Sequence, residues 1–282
     1  MAGAGGFGTP PPPPPPSAGA GGQISPRRLG DILSAAFDVY KAHVASLITI
    51  VAPLAVVLSL FNALIAHAVH AARIATTTVN GQIQLNVSPG SAVAVGLGAL
   101  AAAAVVFVLT FVVEAAVARA AAQATLGETV VPAESLRWGF RRLGSVLLIA
   151  ILAALAIFVG LLLLIIPGLI VAVMLAVAIP ALVFEDRRGG EALRRSWELV
   201  KGSFWHVLGT IIVTALITGV VAGIFDAFAG GNWFLYWILD AAARTITIPF
   251  NALVIVLLYL DLRARKEILT ADTLRSEIAH SA

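Results

Sequence analysis

Three charged side chains stand where this chain is otherwise apolar. Glu114 lies toward one end of an apolar run, and Asp240 and Arg244 sit four apart near the start of the last such run. An ionisable group in hydrocarbon costs about 2.5–3.5 kcal/mol on insertion scales, so it is ordinarily paired or functional. At i,i+4 spacing, Asp240 and Arg244 face each other on a helix and can pair directly. Together the three residues form a candidate intramembrane polar site for an ion, a proton or a lipid headgroup. The alternative puts Asp240 and Arg244 at one headgroup level and Glu114 near the other. His67 and His70, at i,i+3, offer two imidazoles. A metal site also needs a third ligand and an open position. No nearby Asp or Glu supplies the third ligand, so they read as interfacial histidines and no metal site is expected.

The elements that position these residues follow from composition. Of 282 residues, 60% are hydrophobic and 12% charged, with a mean hydropathy of +0.98. A soluble domain is nearer ~25% charged. So little charge cannot wet a surface, and the apolar excess is expected to face lipid. The pI near 9.7 does not point to nucleic acid, because the basic residues are too few and too scattered for a basic patch. There is no cysteine, which excludes disulfides and thiolate chemistry. No phosphate-binding Gly-rich loop of the GxxxxGK[ST] type occurs, and no cofactor is expected. The glycines from Gly219 to Gly223 read as a helix packing surface.

The reading is all-α: a polytopic transmembrane bundle of six spans, near 44–66, 91–117, 145–166, 169–184, 204–225 and 239–260. Residues 1–25, rich in Gly and Pro with an unbroken Pro10–Pro16 run, read as a disordered tail. Residues 26–266 form the membrane domain and 267–282 a polar tail. Pro53 is expected to kink the first span. Asn80-Gly81, between alternating polar and apolar residues, predicts a small β-hairpin in the first outer loop. The 40-residue apolar run from Ser145 to Phe184 is too long for one span, and Pro167-Gly168 splits it into a tight helical hairpin.

Of the 18 Lys and Arg, 16 fall on one side of this topology; Arg73 falls on the other, and Arg244 lies in or beside the last span. The positive-inside rule then places both termini in the cytoplasm. Trp233, Tyr236 and Trp237 are expected to anchor the outer interface, and Trp138, Trp197, Trp205 and Tyr259 the inner one. Arg137, Arg141, Arg142, Arg194, Arg195 and Lys201 are expected to ring the cytoplasmic interface and meet anionic inner-leaflet headgroups, at about 1 kcal/mol each.

A pattern recurs before each helical hairpin. Leu33, Phe37, Tyr40 and Lys41 match Leu193, Trp197, Val200 and Lys201, and Leu136 with Phe140 is a shorter version. The unit is an amphipathic interfacial helix followed by two spans, present three times, with Leu193, Trp197 and Val200 on one side of the third such helix. Pro167-Gly168, Pro180, the stretch from Ala192 to Trp205, and Leu257 to Arg263 stand at characteristic intervals. In these features the chain resembles the membrane domain of bacterial glycerophosphoryl diester phosphodiesterases, over roughly Arg27 to Lys266. In that family the phosphodiesterase activity belongs to a separate soluble barrel. The resemblance therefore implies a fold and carries over no catalytic residue. Phosphodiester hydrolysis would need clustered carboxylates, a metal and a general acid or base. The expected function is a non-enzymatic scaffold, accessory or lipid-interacting subunit with a membrane-protein partner. The alternative is a small-solute, ion or lipid transporter using Glu114, Asp240 and Arg244. The alanine-rich, cysteine-free composition fits a bacterial plasma membrane.

Overall fold

A computed structural model describes residues 24–74, 76–79, 82–85, 89–229 and 232–280, and the side chains of these except 62 and 64–105. The Pro-rich N-terminal segment and the side chains of His67, His70 and Arg73 lie outside the described residues. Six helical stretches are long and apolar enough to cross a membrane, which makes this a multi-pass membrane protein.

Helix α1 (Leu29–Ile74) contains both the first amphipathic segment and the first apolar run. Its one non-helical residue is His43 (φ −121°, ψ 19°). Pro53 lies inside the helix without a non-helical residue beside it, and the break falls at His43, where amphipathic sequence gives way to apolar sequence. Strands β1 (Thr76–Val79) and β2 (Gln82–Leu85) pair antiparallel, with Val79 opposite Gln82. Then come α2 (Pro89–Thr125), α3 (Pro132–Arg141) and α4 (Leu143–Leu163). Between α3 and α4 the chain pauses at Arg142 (φ −95°, ψ 9°). Helix α7 (Gly190–Val200) is likewise parted from α8 (Phe204–Phe228) by Lys201 to Ser203, with Ser203 at φ −122°, ψ 19°. All three amphipathic segments thus meet their long helix through a residue in the sparsely populated bridge region. Gly202, at φ +90°, is what lets the third joint turn.

The 145–184 run is divided differently from the sequence reading. The turn is the single extended residue Leu164 (φ −171°, ψ 155°), and Pro167-Gly168 belongs to the first turn of α5 (Ile165–Met174). Proline is well placed there, since the first-turn N–H groups have no helical partner. Gly168 is needed for close packing: a Cβ on it would stand 2.8 Å from the Leu161 backbone nitrogen. A second break at Leu175–Val177 precedes α6 (Ala178–Glu185). The buried Ser196 of α7 repairs it: its hydroxyl donates to the Met174 carbonyl (2.8 Å) and accepts from the Val177 N–H (3.2 Å).

Asn232 caps α9 (Trp233–Ala264), its Oδ1 accepting from the N–H groups of Phe234 and Leu235. Helix α9 packs most extensively against α1 and also lies on α2 and α8. The C-terminal segment is a docked helix, α10 (Ala271–His280), with Leu274 and Ile278 buried. The ends meet: Ile24 N–H donates to the Leu269 carbonyl, and Arg27 N–H donates to Asp261.

The buried face of the third amphipathic helix is rotated from the one read from the sequence: Val200 is inside, Leu193 half-buried and Trp197 outside. Ala192, Ser196, Leu199 and Val200 are inside α7, as Ile32 and Ala36 are in α1. The repeated aromatic is outside in each case: Phe37, Phe140 and Trp197 are all exposed. Trp138 and Tyr259, expected at an interface, are fully buried and belong to the core. Trp205 is exposed.

Candidate functional site

The long helices meet around a cleft of about 380 Å³. Leu54 and Leu58 of α1, Val113 and Val117 of α2, Ala176, Ile179 and Pro180 around the start of α6, and Ile248 and Ile255 of α9 make its walls. Three polar residues enter it: Thr110 and Glu114 from α2, one turn apart, and Asn251 from α9. Thr110 is satisfied within its own helix, its hydroxyl donating to the Val106 carbonyl at 2.8 Å. Thr49, Thr210, Thr214, Thr245 and Thr247 do the same, which is the usual way a hydroxyl is accommodated in an apolar helix. Glu114 and Asn251 are too long or too polar for that solution. Both are uncovered by protein, and neither makes a hydrogen bond or ion pair among the described residues. A carboxylate and a carboxamide therefore face an apolar cleft with their bonding capacity free. Such a pair can receive a cation or a hydrogen-bonding head while the walls hold an apolar body.

Asp240 and Arg244 are elsewhere. They form an ion pair at 2.8 Å on α9, with Asp240 buried and Arg244 partly open. Asn251 lies two turns further along that helix, and neither member of the pair lines the cleft. The three-residue site expected from the sequence is thus split into a self-contained pair and an unpartnered carboxylate. Nearby, the Trp237 indole donates to the Val56 carbonyl of α1 (3.2 Å), so this residue ties two helices together.

The six basic candidates also divide. Arg137, Arg141 and Lys201 are exposed and have no ion-pair partner among the described residues. Arg194 pairs with Glu198 of its own helix at 2.9 Å, which pulls the Glu198 carboxyl below its ordinary value. Arg142 pairs with Asp186 at 2.7 Å. Arg195 is taken up by structure: it binds Glu185 at 2.8 Å and also Glu267. Burial opposes its charge, but the two hydrogen-bonded carboxylates outweigh burial and raise its pKa. Burial likewise works to raise Glu267, and the bonds to Arg195 and Arg263 overcome it and lower it. Arg263 holds Glu277 of α10 through both terminal nitrogens, at 2.6 and 3.0 Å. The Tyr259 hydroxyl donates to Glu185. This network locks the ends of α6, α7, α9 and α10 together.

Two residues escaped the sequence reading. Asn251 is a lone amide in an apolar span, a signal available beside that of Glu114. Arg119, grouped there with the surface cations, is 8% exposed, and its guanidinium lies 5.1 Å from the centre of the Trp138 ring. Its Nε and Nη1 have no hydrogen-bond partner among the described residues. Among those residues, no group of three His, Cys, Asp or Glu side chains is arranged to hold a metal ion.

No curated protein and no solved structure matches the chain. One family does match, over residues 29–260, a range that takes in the joints, the cleft and most of the charged end. The chain belongs to that family, described as a domain of unknown function (DUF7847).

Proposed function

We propose that this protein is a non-enzymatic membrane receptor or carrier for a small amphiphilic cation, seated in the Glu114 cleft. The observation that carries the reading is the unpartnered carboxylate beside Asn251 in apolar walls. A charge held among apolar groups without a counter-charge is costly, and membrane proteins place such groups where a ligand or ion completes them. The volume, about 380 Å³, falls in the range of small-molecule sites. An organic ammonium with an apolar body satisfies both halves of the cleft. The bundle is read as six spans in three hairpins in a bacterial plasma membrane, with the charged end, both termini included, in the cytoplasm and the β1–β2 loop outside. The one-sided distribution of cations supports that orientation. The likeness to the glycerophosphoryl diester phosphodiesterase membrane domain is kept as a matter of fold.

The test is binding of a fluorescent lipophilic quaternary ammonium to the purified protein in nanodiscs. Glu114→Gln is expected to weaken it at least tenfold, and Asn251→Ala severalfold. Equal affinity in wild type and Glu114→Gln would end the proposal. Flux of the same probe into proteoliposomes separates carrier from receptor.

A second reading is favoured by Arg137, Arg141 and Lys201, which are exposed and unpaired among the described residues. They are placed to attract anionic headgroups, and the exposed Phe37, Phe140 and Trp197 to rest at the same interface. Flotation with vesicles of rising phosphatidylglycerol content, comparing wild type with Arg137→Gln/Arg141→Gln/Lys201→Gln, tests it. A scaffold role would add a membrane-protein partner that co-purifies in mild detergent.

A further inference from the structure

The turns of this protein differ sharply in chemistry. The last turn of α8 carries Asp226 and the α8–α9 turn Asn232, and the segment joining α1 to α2 carries Asn80, Gln82 and Gln84. The α4–α5 turn has nothing of the kind. From Val146 to Phe184 there is no polar or charged side chain. At the turn Leu162, Leu163, Leu164 and Ile165 are 77%, 72%, 67% and 76% exposed, the most uncovered run of large apolar residues in the described chain. Such a patch on a soluble surface would be costly at about 25 cal/mol per Å².

We infer that the α4–α5 turn ends inside the hydrocarbon, as an apolar finger in the leaflet opposite the charged end, with acyl chains as its partner. Three independent features support this. The first is length. If the joints at His43, Arg142 and Ser203 mark one level, α4 rises about 31 Å from it, α8 about 37 Å and the rest of α1 about 46 Å. The middle pair therefore falls short of both helices that lead to polar turns, by about 6 Å against α8 and about 15 Å against α1. The second is the backbone. A turn in lipid must leave few polar groups without a partner. Here Leu164 N–H donates to the Gly160 carbonyl, Gly168 N–H donates to the Leu164 carbonyl, and Pro167 brings no N–H at all. The third is compactness. The turn costs one non-helical residue, because Gly160 and Gly168 let the helices touch: a Cβ on Gly160 would meet the Gly168 Cα at 2.8 Å. This assignment does not depend on the cleft or on what binds there.

The chain has no cysteine, so single cysteines give clean probes. Leu163→Cys and Ile165→Cys are nitroxide-labelled in nanodiscs, with Asn232→Cys as the control at the polar turn. Collision with oxygen and with a neutral, water-soluble nickel chelate is then measured. The expected result is high oxygen and low nickel accessibility at both 163 and 165, with the reverse at 232. High nickel accessibility at 163 and 165 would put the turn in water and overturn the inference. Low accessibility to both reagents would mean protein covers the turn, a second copy or another chain, and would overturn it equally. Leu163→Cys and Ile165→Cys replace exposed side chains, and a melting temperature equal to that of the wild type shows that each variant is folded.

Discussion

Glu185 and Glu114 are the same residue type at opposite extremes of use. Glu185, at the charged end, is engaged by Arg195 and Tyr259, with Arg187 and Arg263 close by. Glu114, within a span, is engaged by nothing among the described residues. In the first region Glu185, with Glu267 and Glu277, joins elements together, so the charge serves the fold. In the second the fold holds a carboxylate open at its own expense. The contrast separates charges that are structural from one that is available, and neither proximity in sequence nor residue type makes that separation.

The sharpest way to break the comparison is at the engaged carboxylate. Arg195→Ala removes a hydrogen-bonded cation from Glu185 and Glu267, leaving Arg263 as the one they share, and is expected to cost about 2–3 kcal/mol. Thermal unfolding in detergent checks it, and an unchanged melting temperature would remove the network's structural role. Ser196→Ala leaves the Met174 carbonyl and the Val177 N–H without partners, and is expected to cost about 1–3 kcal/mol. Acid gives a gentler version. Glu267 is held below its ordinary value in the folded protein, so its contribution is complete above about pH 4.5 and is lost as pH falls through the lowered value. The melting temperature should therefore drop more steeply below pH 4.5 in wild type than in Glu267→Gln, and parallel curves would contradict the assignment. At the available carboxylate the expected effect on stability is smallest. Glu114→Gln should stay within about 1 kcal/mol of wild type or stabilise it, because no bond is lost. A loss as large as that of Arg195→Ala would mean that Glu114 is structural after all.

The apolar runs announced the six helical stretches long enough to span, since ~20 residues of hydrocarbon leave few alternatives. Proline was a poor guide to their breaks. Pro53 lies inside α1, and Pro167 opens α5 one turn after the real bend. The bends fall at His43, Arg142 and Leu164, where no residue type signals them, because they are fixed by how neighbouring elements dock. Arg195 and Arg194 are adjacent and chemically identical, yet the first faces Glu185 and the second water, a difference set by helix phase against α6. Trp138 and Tyr259 were misread for the same reason: an aromatic near a span end marks an interface only if it points outward. Glu114 was visible as a charge in an apolar run. Its partner in the cleft, Asn251, lies 137 positions along the chain, and only packing of α2 against α9 brings the two to one place.

The single hydroxyl of Ser196 has a mechanical consequence. It clasps the break between α5 and α6, and the residues around that break, Ala176, Ile179 and Pro180, are one wall of the Glu114 cleft. Helix α7, which carries the clasp, also carries the exposed Trp197. A tilt of α7 at the surface is therefore expected to move one wall of the chamber, through the Ser196 clasp and the Arg195–Glu185 bridge together, so the room inside is hinged to the roof.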